Sequence, residues 1–184
     1  MAEVKLAQPL RAEDHTMGPH PATINVVEYG HYESGDCAGL QPYLRELLRT
    51  HQPAVRLTFR HFPLPVTTVH PHTMLAAEMA EAAAVRGRFW PVHEWLLDHH
   101  GSINRDTLHQ VEMLFDLPPE AIGLELSQQI YRARVMRDVI GGRRSGVLRT
   151  PTFFVNGERV NTGTSLDDII HDLSFAIEQP PQWT

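Results

Sequence analysis

The run Ile24-Asn25-Val26-Val27-Glu28-Tyr29 is rich in β-formers and closes at Gly30, which predicts a short buried strand. From about Asp36 the apolar residues Leu40, Tyr43, Leu44, Leu47 and Leu48 recur at helical spacing. Val55-Arg56-Leu57-Thr58-Phe59 then alternates apolar and polar residues and stops at Pro63 and Pro65, so a second strand is expected there. Two strands that flank a helix predict a parallel βαβ unit.

The middle of the chain reads as helical. Thr73 to Val85 is Ala-rich, with Met74, Leu75 and Met79 available for packing and Glu78 and Glu81 expected on a solvated face. Phe89 to His99 carries Phe89, Val92, Trp95, Leu96 and Leu97, and a third segment starts at Asn104. Pro118-Pro119-Glu120 opens a longer helix through Ile122, Leu126, Ile130, Val135 and Ile140 that is expected to end at Gly141-Gly142. Strand character returns at Thr152-Phe153-Phe154-Val155, and Asn156-Gly157 signals a hairpin turn before Arg159-Val160-Asn161. A last helix begins near Ser165, with Asp167 and Asp168 suited to its first turn. The order is β-α-β, a helical insertion, then β-β-α, which describes one α/β core with a helical lid.

Composition narrows the function classes. The 184 residues carry a formal charge of −6, and Lys and Arg are scattered, so neither a nucleic-acid stripe nor a basic membrane patch is expected. No apolar run approaches the roughly 20 residues of a membrane helix. The segment from Met1 to Pro21 lacks the apolar stretch of a secretory signal, and a cytoplasmic location is the expectation. Cys37 is the only cysteine, which excludes an intramolecular disulfide. Histidines are numerous, but His61, His70, His72, His93, His99 and His100 match no metal-ligand spacing, and no metal site is expected. His93 is instead expected as a hydrogen-bonded histidine within the lid.

Three features coincide near the strand that closes at Gly30. The loop Ser34-Gly35-Asp36-Cys37 opens a helix, that helix carries Pro42, and Thr150-Pro151 stands immediately before the distant hairpin. Together with Arg60-His61-Phe62-Pro63-Leu64, His70-Pro71-His72 and Arg88-Phe89-Trp90-Pro91-Val92-His93, this order resembles the DsbA branch of the thioredoxin superfamily over roughly residues 24–177. The resemblance implies a thioredoxin fold with an inserted helical domain. Its parts are an extended arm at 1–22, an N-terminal half at 23–72, a helical insertion at 73–145 and a C-terminal half at 146–184.

By the same resemblance, Ser34 stands where the family has its nucleophilic cysteine, Cys37 at the resolving cysteine, and Thr150-Pro151 at the cis-proline that binds substrate backbone. Serine cannot form the mixed disulfide that thiol exchange requires, and Cys37 has no second cysteine to resolve it. Ser34 therefore has two readings: a helix cap at a vestigial or substituted site, or a hydroxyl that holds the sulfur of glutathione, as in the related kappa-class glutathione transferases. No tightly bound cofactor is expected, and glutathione is the cosubstrate that the second reading implies. The expected partners are a thiol-containing small molecule or an extended peptide. The alternative is a redox-inactive peptide-binding or chaperone module using the same groove. Cys37 itself, one turn inside the helix and beside Asp36, is expected to be a buried, slow thiol.

Overall fold

The computed structural model of the chain describes residues 4–64 and 70–182. Its first regular element is a short strand, β1 (His15–Met17), inside the N-terminal arm. Next come β2 (Ile24–Gly30), α1 (Gly35–Thr50) and β3 (Val55–His61). β2 and β3 run parallel with Val26 opposite Leu57, as the βαβ crossover requires. Pro65, expected to mark the end of the second strand, lies outside the described residues.

Five helices follow: α2 (Thr73–Ala84), α3 (Phe89–Asp98), α4 (Arg105–Leu114), α5 (Pro119–Ser127) and α6 (Arg132–Arg144). The chain then returns as β4 (Thr152–Val155), β5 (Glu158–Arg159) and α7 (Leu166–Glu178). β4 pairs antiparallel with β2, and β1 pairs antiparallel with β3, so the sheet order is β1-β3-β2-β4-β5. Asn156 and Gly157 join β4 to β5 with φ of 48° and 82°, the left-handed pair that a two-residue hairpin demands. This is a thioredoxin fold carrying a helical insertion.

Neighbouring residues of β2 face opposite sides of the sheet. Val26 packs with Leu40, Leu44 and Leu47 of α1 and with Leu173 and Ile177 of α7. Val27 and Tyr29 pack on the other side with Phe62, Phe154 and Val139 of α6. A third apolar cluster joins Tyr32, Cys37 and Phe59 to the insertion helices.

Two sequence-based expectations need correction. The long helix expected from Pro118 to Gly142 is broken into α5 and α6, with Gln129 at a φ of 54° between them. Gly141 and Gly142 lie inside α6 rather than ending it, and each meets a close neighbour: Gly141 the Gln8 side chain of the arm, Gly142 the aromatic rings beside the sheet. A Cβ on Gly142 would fall 2.7 Å from the Phe62 ring and 3.0 Å from that of Tyr29. Glu78 and Glu81 are also not on a solvated face, for both are buried. α2 is enclosed on all sides, and its two carboxylates are matched by basic groups: Arg132 lies 3.6 Å from Glu78, and His15 and His61 sit against Glu81.

The N-terminal arm is strapped to both edges of the sheet. Arg60, fully buried on β3, donates to Asp14 at 2.7 Å and to the carbonyls of Gln8 and Pro9. Arg11 bridges Asp14 and Asp138, the latter at 2.6 Å. At the far edge the Leu6 amide donates to the Gly157 carbonyl, and the Arg159 amide donates to that of Val4.

Candidate functional site

The chain leaves β2 at Gly30, crosses a four-residue loop and enters α1 at Gly35. Ser34 is the N-cap of α1: with extended backbone (φ −92°, ψ 115°), its Oγ accepts from the Cys37 amide at 3.2 Å. One side-chain hydrogen bond within the loop and two from it to the insertion hold it in place. His31 Nδ1 accepts from the Glu33 amide, Glu33 accepts from the His72 amide at the start of α2, and Tyr32 Oη meets His93 Nδ1 of α3 at 3.1 Å. The last of these is the hydrogen-bonded lid histidine expected from the sequence. The loop that precedes α1 is thus tied to the insertion at two points.

Cys37 is where the sequence-predicted residues meet. Its side chain is wholly buried, and its thiol interacts with the Ser34 side chain, the Thr150 side chain and the His31 backbone. Burial first, and the nearby Glu28 carboxyl second, push the thiol up to about 12. It is therefore a protonated, unreactive sulfur at neutral pH. The Thr150–Pro151 peptide is cis, with Thr150 half-buried and Pro151 buried at the start of β4. Just before it, Leu148 is 84% exposed, and Arg149 reaches back to the carbonyls of Thr162 and Gly163.

Three residues here were not placed at this site from the sequence: Glu28 and Gly30 were read only as parts of the strand, and His100 only among the histidines without metal-ligand spacing. Glu28 lies on β2 with 1% of its surface exposed, and neither carboxyl oxygen has a hydrogen bond of ordinary geometry among the described residues. The Cys37 thiol is the polar group that faces it, and burial raises its carboxyl to about 8. An acid within the apolar run Ile24–Tyr29 was the available signal. Gly30 makes the approach possible: a Cβ there would lie 2.7 Å from Phe59, 3.0 Å from Glu28 Oε1 and 3.3 Å from Cys37 Sγ. His100, at the end of α3, holds its Nδ1 to the Leu97 carbonyl at 3.0 Å. That leaves Nε2 facing the head of α1, 3.6 Å from where a Gly35 Cβ would be. No sequence pattern links His100 to Gly35, because only folding of the insertion brings them together.

The arrangement combines a helix N-terminus, which favours negative charge, with a hydroxyl, a neutral thiol and an irregular backbone edge at Thr150-Pro151. It can hold an anionic or hydrogen-bonding group at the surface. It cannot cycle between dithiol and disulfide, since the chain has one cysteine.

Among known proteins, a 147-residue stretch is 44% identical to the Na(+)/H(+) antiporter NhaA 1 of Salinispora arenicola, covering 79% of this chain and 22% of that protein. A similar stretch is 35% identical to the Na(+)/H(+) antiporter NhaA of Nitrosospira multiformis, covering 80% of this chain and 23% of that protein. The chain thus spans less than a quarter of the length of these relatives. In fold it is similar to BdbD from Bacillus subtilis, at a TM-score of 0.79 and 19% identity over 97% of this chain and 98% of that one. It also resembles α-DsbA1 of Wolbachia pipientis, at 0.70 and 17% over 93% and 92%. The family model described as Thioredoxin matches residues 11–172, which encloses every strand and the whole helical insertion, and on that match the chain belongs to the thioredoxin family.

Proposed function

We propose that this is an atypical DsbA-like protein in which Ser34 replaces the nucleophilic cysteine, leaving an S-x-x-C site that binds a thiol, glutathione being the simplest, without two-thiol exchange. The observation that carries the reading is the meeting of Ser34 and Thr150 on the buried Cys37 thiol, at the head of α1. Ser34 sits where an attacking sulfur would gain most from the helix terminus. Cys37 lies one turn deeper, where burial disfavours its thiolate. An incoming thiolate placed beside Ser34 would meet the positive end of α1, and an extended backbone would lie along Thr150-Pro151. Any catalysis would need the missing sulfur from outside, which a cytoplasmic glutathione pool would supply. The relatives named as antiporters extend far beyond the matched segment, and no helix among the described residues is long and apolar enough to cross a membrane. Antiport is accordingly not proposed for this chain.

The test is the pair of wild-type protein and Ser34→Cys. The variant should form a disulfide with Cys37, since residues three apart at a helix start face one side within disulfide reach. It should then reduce insulin above the dithiothreitol background, while the wild type should not. Calorimetry with glutathione should detect binding to the wild type that Thr150→Val weakens. Equal insulin reduction by both proteins, or a folded variant unable to form the disulfide, would remove Ser34 from the nucleophile position. Glutathione binding untouched by the Thr150 change would place the thiol elsewhere.

A further inference from the structure

Beside the Phe59 and Tyr32 rings, three side chains from three separate elements converge. His15 comes from the edge strand β1, His61 from the last position of β3, and Glu81 from the enclosed helix α2. His15 Nε2 lies 2.8 Å and His61 Nε2 2.9 Å from the same carboxylate oxygen, Glu81 Oε1. All three atoms fall within 4.8 Å of one another. From this convergence we infer that His15, His61 and Glu81 form a binding site for one divalent transition-metal ion, zinc or cobalt being the class that suits two imidazoles and a carboxylate.

The rings are already held in place for this. His15 stacks on Phe89 with centroids 3.5 Å apart and planes within 9°. His61 stands edge-on to Phe59 at 5.4 Å and 87°. Ordering cost is therefore low, and small displacements of the three atoms reach the ~2.0–2.2 Å bonds that zinc makes to nitrogen and oxygen. His15 retains part of its surface and gives the ion a way in, whereas His61 and Glu81 are buried. In the metal-free protein each ring can offer its Nε2–H to Oε1. On binding that proton moves to Nδ1 and the lone pair of Nε2 goes to the ion. The resulting site has three protein ligands, leaving at least one position for water or an added ligand.

Two neighbours set the strength. Arg134, on α6, brings its Nε within 3.8 Å of Glu81 Oε1, although its Nη1 is held by Asp138 at 2.8 Å. Its charge opposes a dication in the same space. His61 Nδ1 is buried and has no hydrogen-bond partner among the described residues, so the outer acceptor that sharpens most metal-bound histidines is absent. That absence alone weakens affinity by about 10–100-fold. Sequence spacing could not reveal the site, because the three residues lie far apart along the chain.

The experiment is titration of the chelator-treated full chain with Zn2+ by calorimetry and with Co2+ by visible absorption. The chain has 12 histidines, so the variants decide where an ion sits. The wild type should take one equivalent, with the intense visible bands of low-coordinate cobalt. His15→Phe keeps the stack on Phe89 and removes one ligand, and it should bind at least about ten-fold more weakly. Arg134→Gln removes the opposing cation and should bind several-fold more tightly, a gain that partial unfolding would not produce. No uptake by the wild type, or wild-type affinity in both variants, would overturn the site.

Discussion

At the scale of the residue, Glu28 is the most consequential side chain outside those at the helix start. Its carboxyl is raised from 4.5 to about 8 by burial, so near neutral pH the folded protein holds a proton there that the unfolded chain has released. The sign follows directly. The native state binds more protons than the unfolded state between the two values, so this group's contribution is fully present below 4.5 and is lost as pH rises to about 8. Glu28→Gln removes that dependence without changing the shape. In urea unfolding, the stability of the Gln variant relative to wild type should grow by roughly 1.4 kcal/mol per pH unit between about pH 5 and 8. A difference that stays level would mean that Glu28 ionises normally beside Cys37.

At the scale of the element, two glycines show how packing reverses an intrinsic preference. Gly123 in α5 faces open space, and Gly142 in α6 is pressed against Phe62 and Tyr29. Alanine is favoured over glycine inside a helix by about 0.8–1 kcal/mol. Gly123→Ala should therefore stabilise the protein by up to about that amount. Gly142→Ala should destabilise it by roughly 1–3 kcal/mol, because aromatic rings must move off well-packed positions. Denaturation midpoints of the two variants should shift in opposite directions. A stabilising Gly142→Ala would show that α6 can retreat from the sheet. Gly141-Gly142 fails as a stop signal for the same kind of reason: close approach to Gln8 at Gly141 and to Phe62 and Tyr29 at Gly142, rather than chain reversal, accounts for the missing side chains.

At the scale of the whole molecule, the arm is part of the fold. Asp14 and Arg60 are both fully buried in their side chains and paired at 2.7 Å. Arg11, Asp138 and Arg134 extend the network across to α6. Removing one partner of a buried pair leaves the other charge without compensation and costs roughly 3–5 kcal/mol. Asp14→Asn should lose stability of that order and become sensitive to protease within residues 4–17. A loss below about 1 kcal/mol would mean that the carbonyls of Gln8 and Pro9 suffice for Arg60.

By itself the sequence determined the local elements and much of their order. Alternation at Val55–Phe59, the helical spacing of Leu40, Leu44 and Leu47, and Asn156-Gly157 are local signals, and strand, helix and hairpin follow from them. Ser34, Cys37, Thr150 and Pro151 were marked through the resemblance to the DsbA branch, carried by the motifs Ser34-Gly35-Asp36-Cys37 and Thr150-Pro151. Tertiary structure decided what those elements enclose. Whether Glu81 meets water or two histidines, whether Gly142 ends a helix or admits Phe62, and whether Glu28 faces a thiol depend on contacts between residues distant along the chain. Periodicity reports which side of an element is apolar, but not what lies against it. For α2, enclosed on every side, even that distinction vanishes, and the buried carboxylates become visible only once their partners from β1, β3 and α6 are in place.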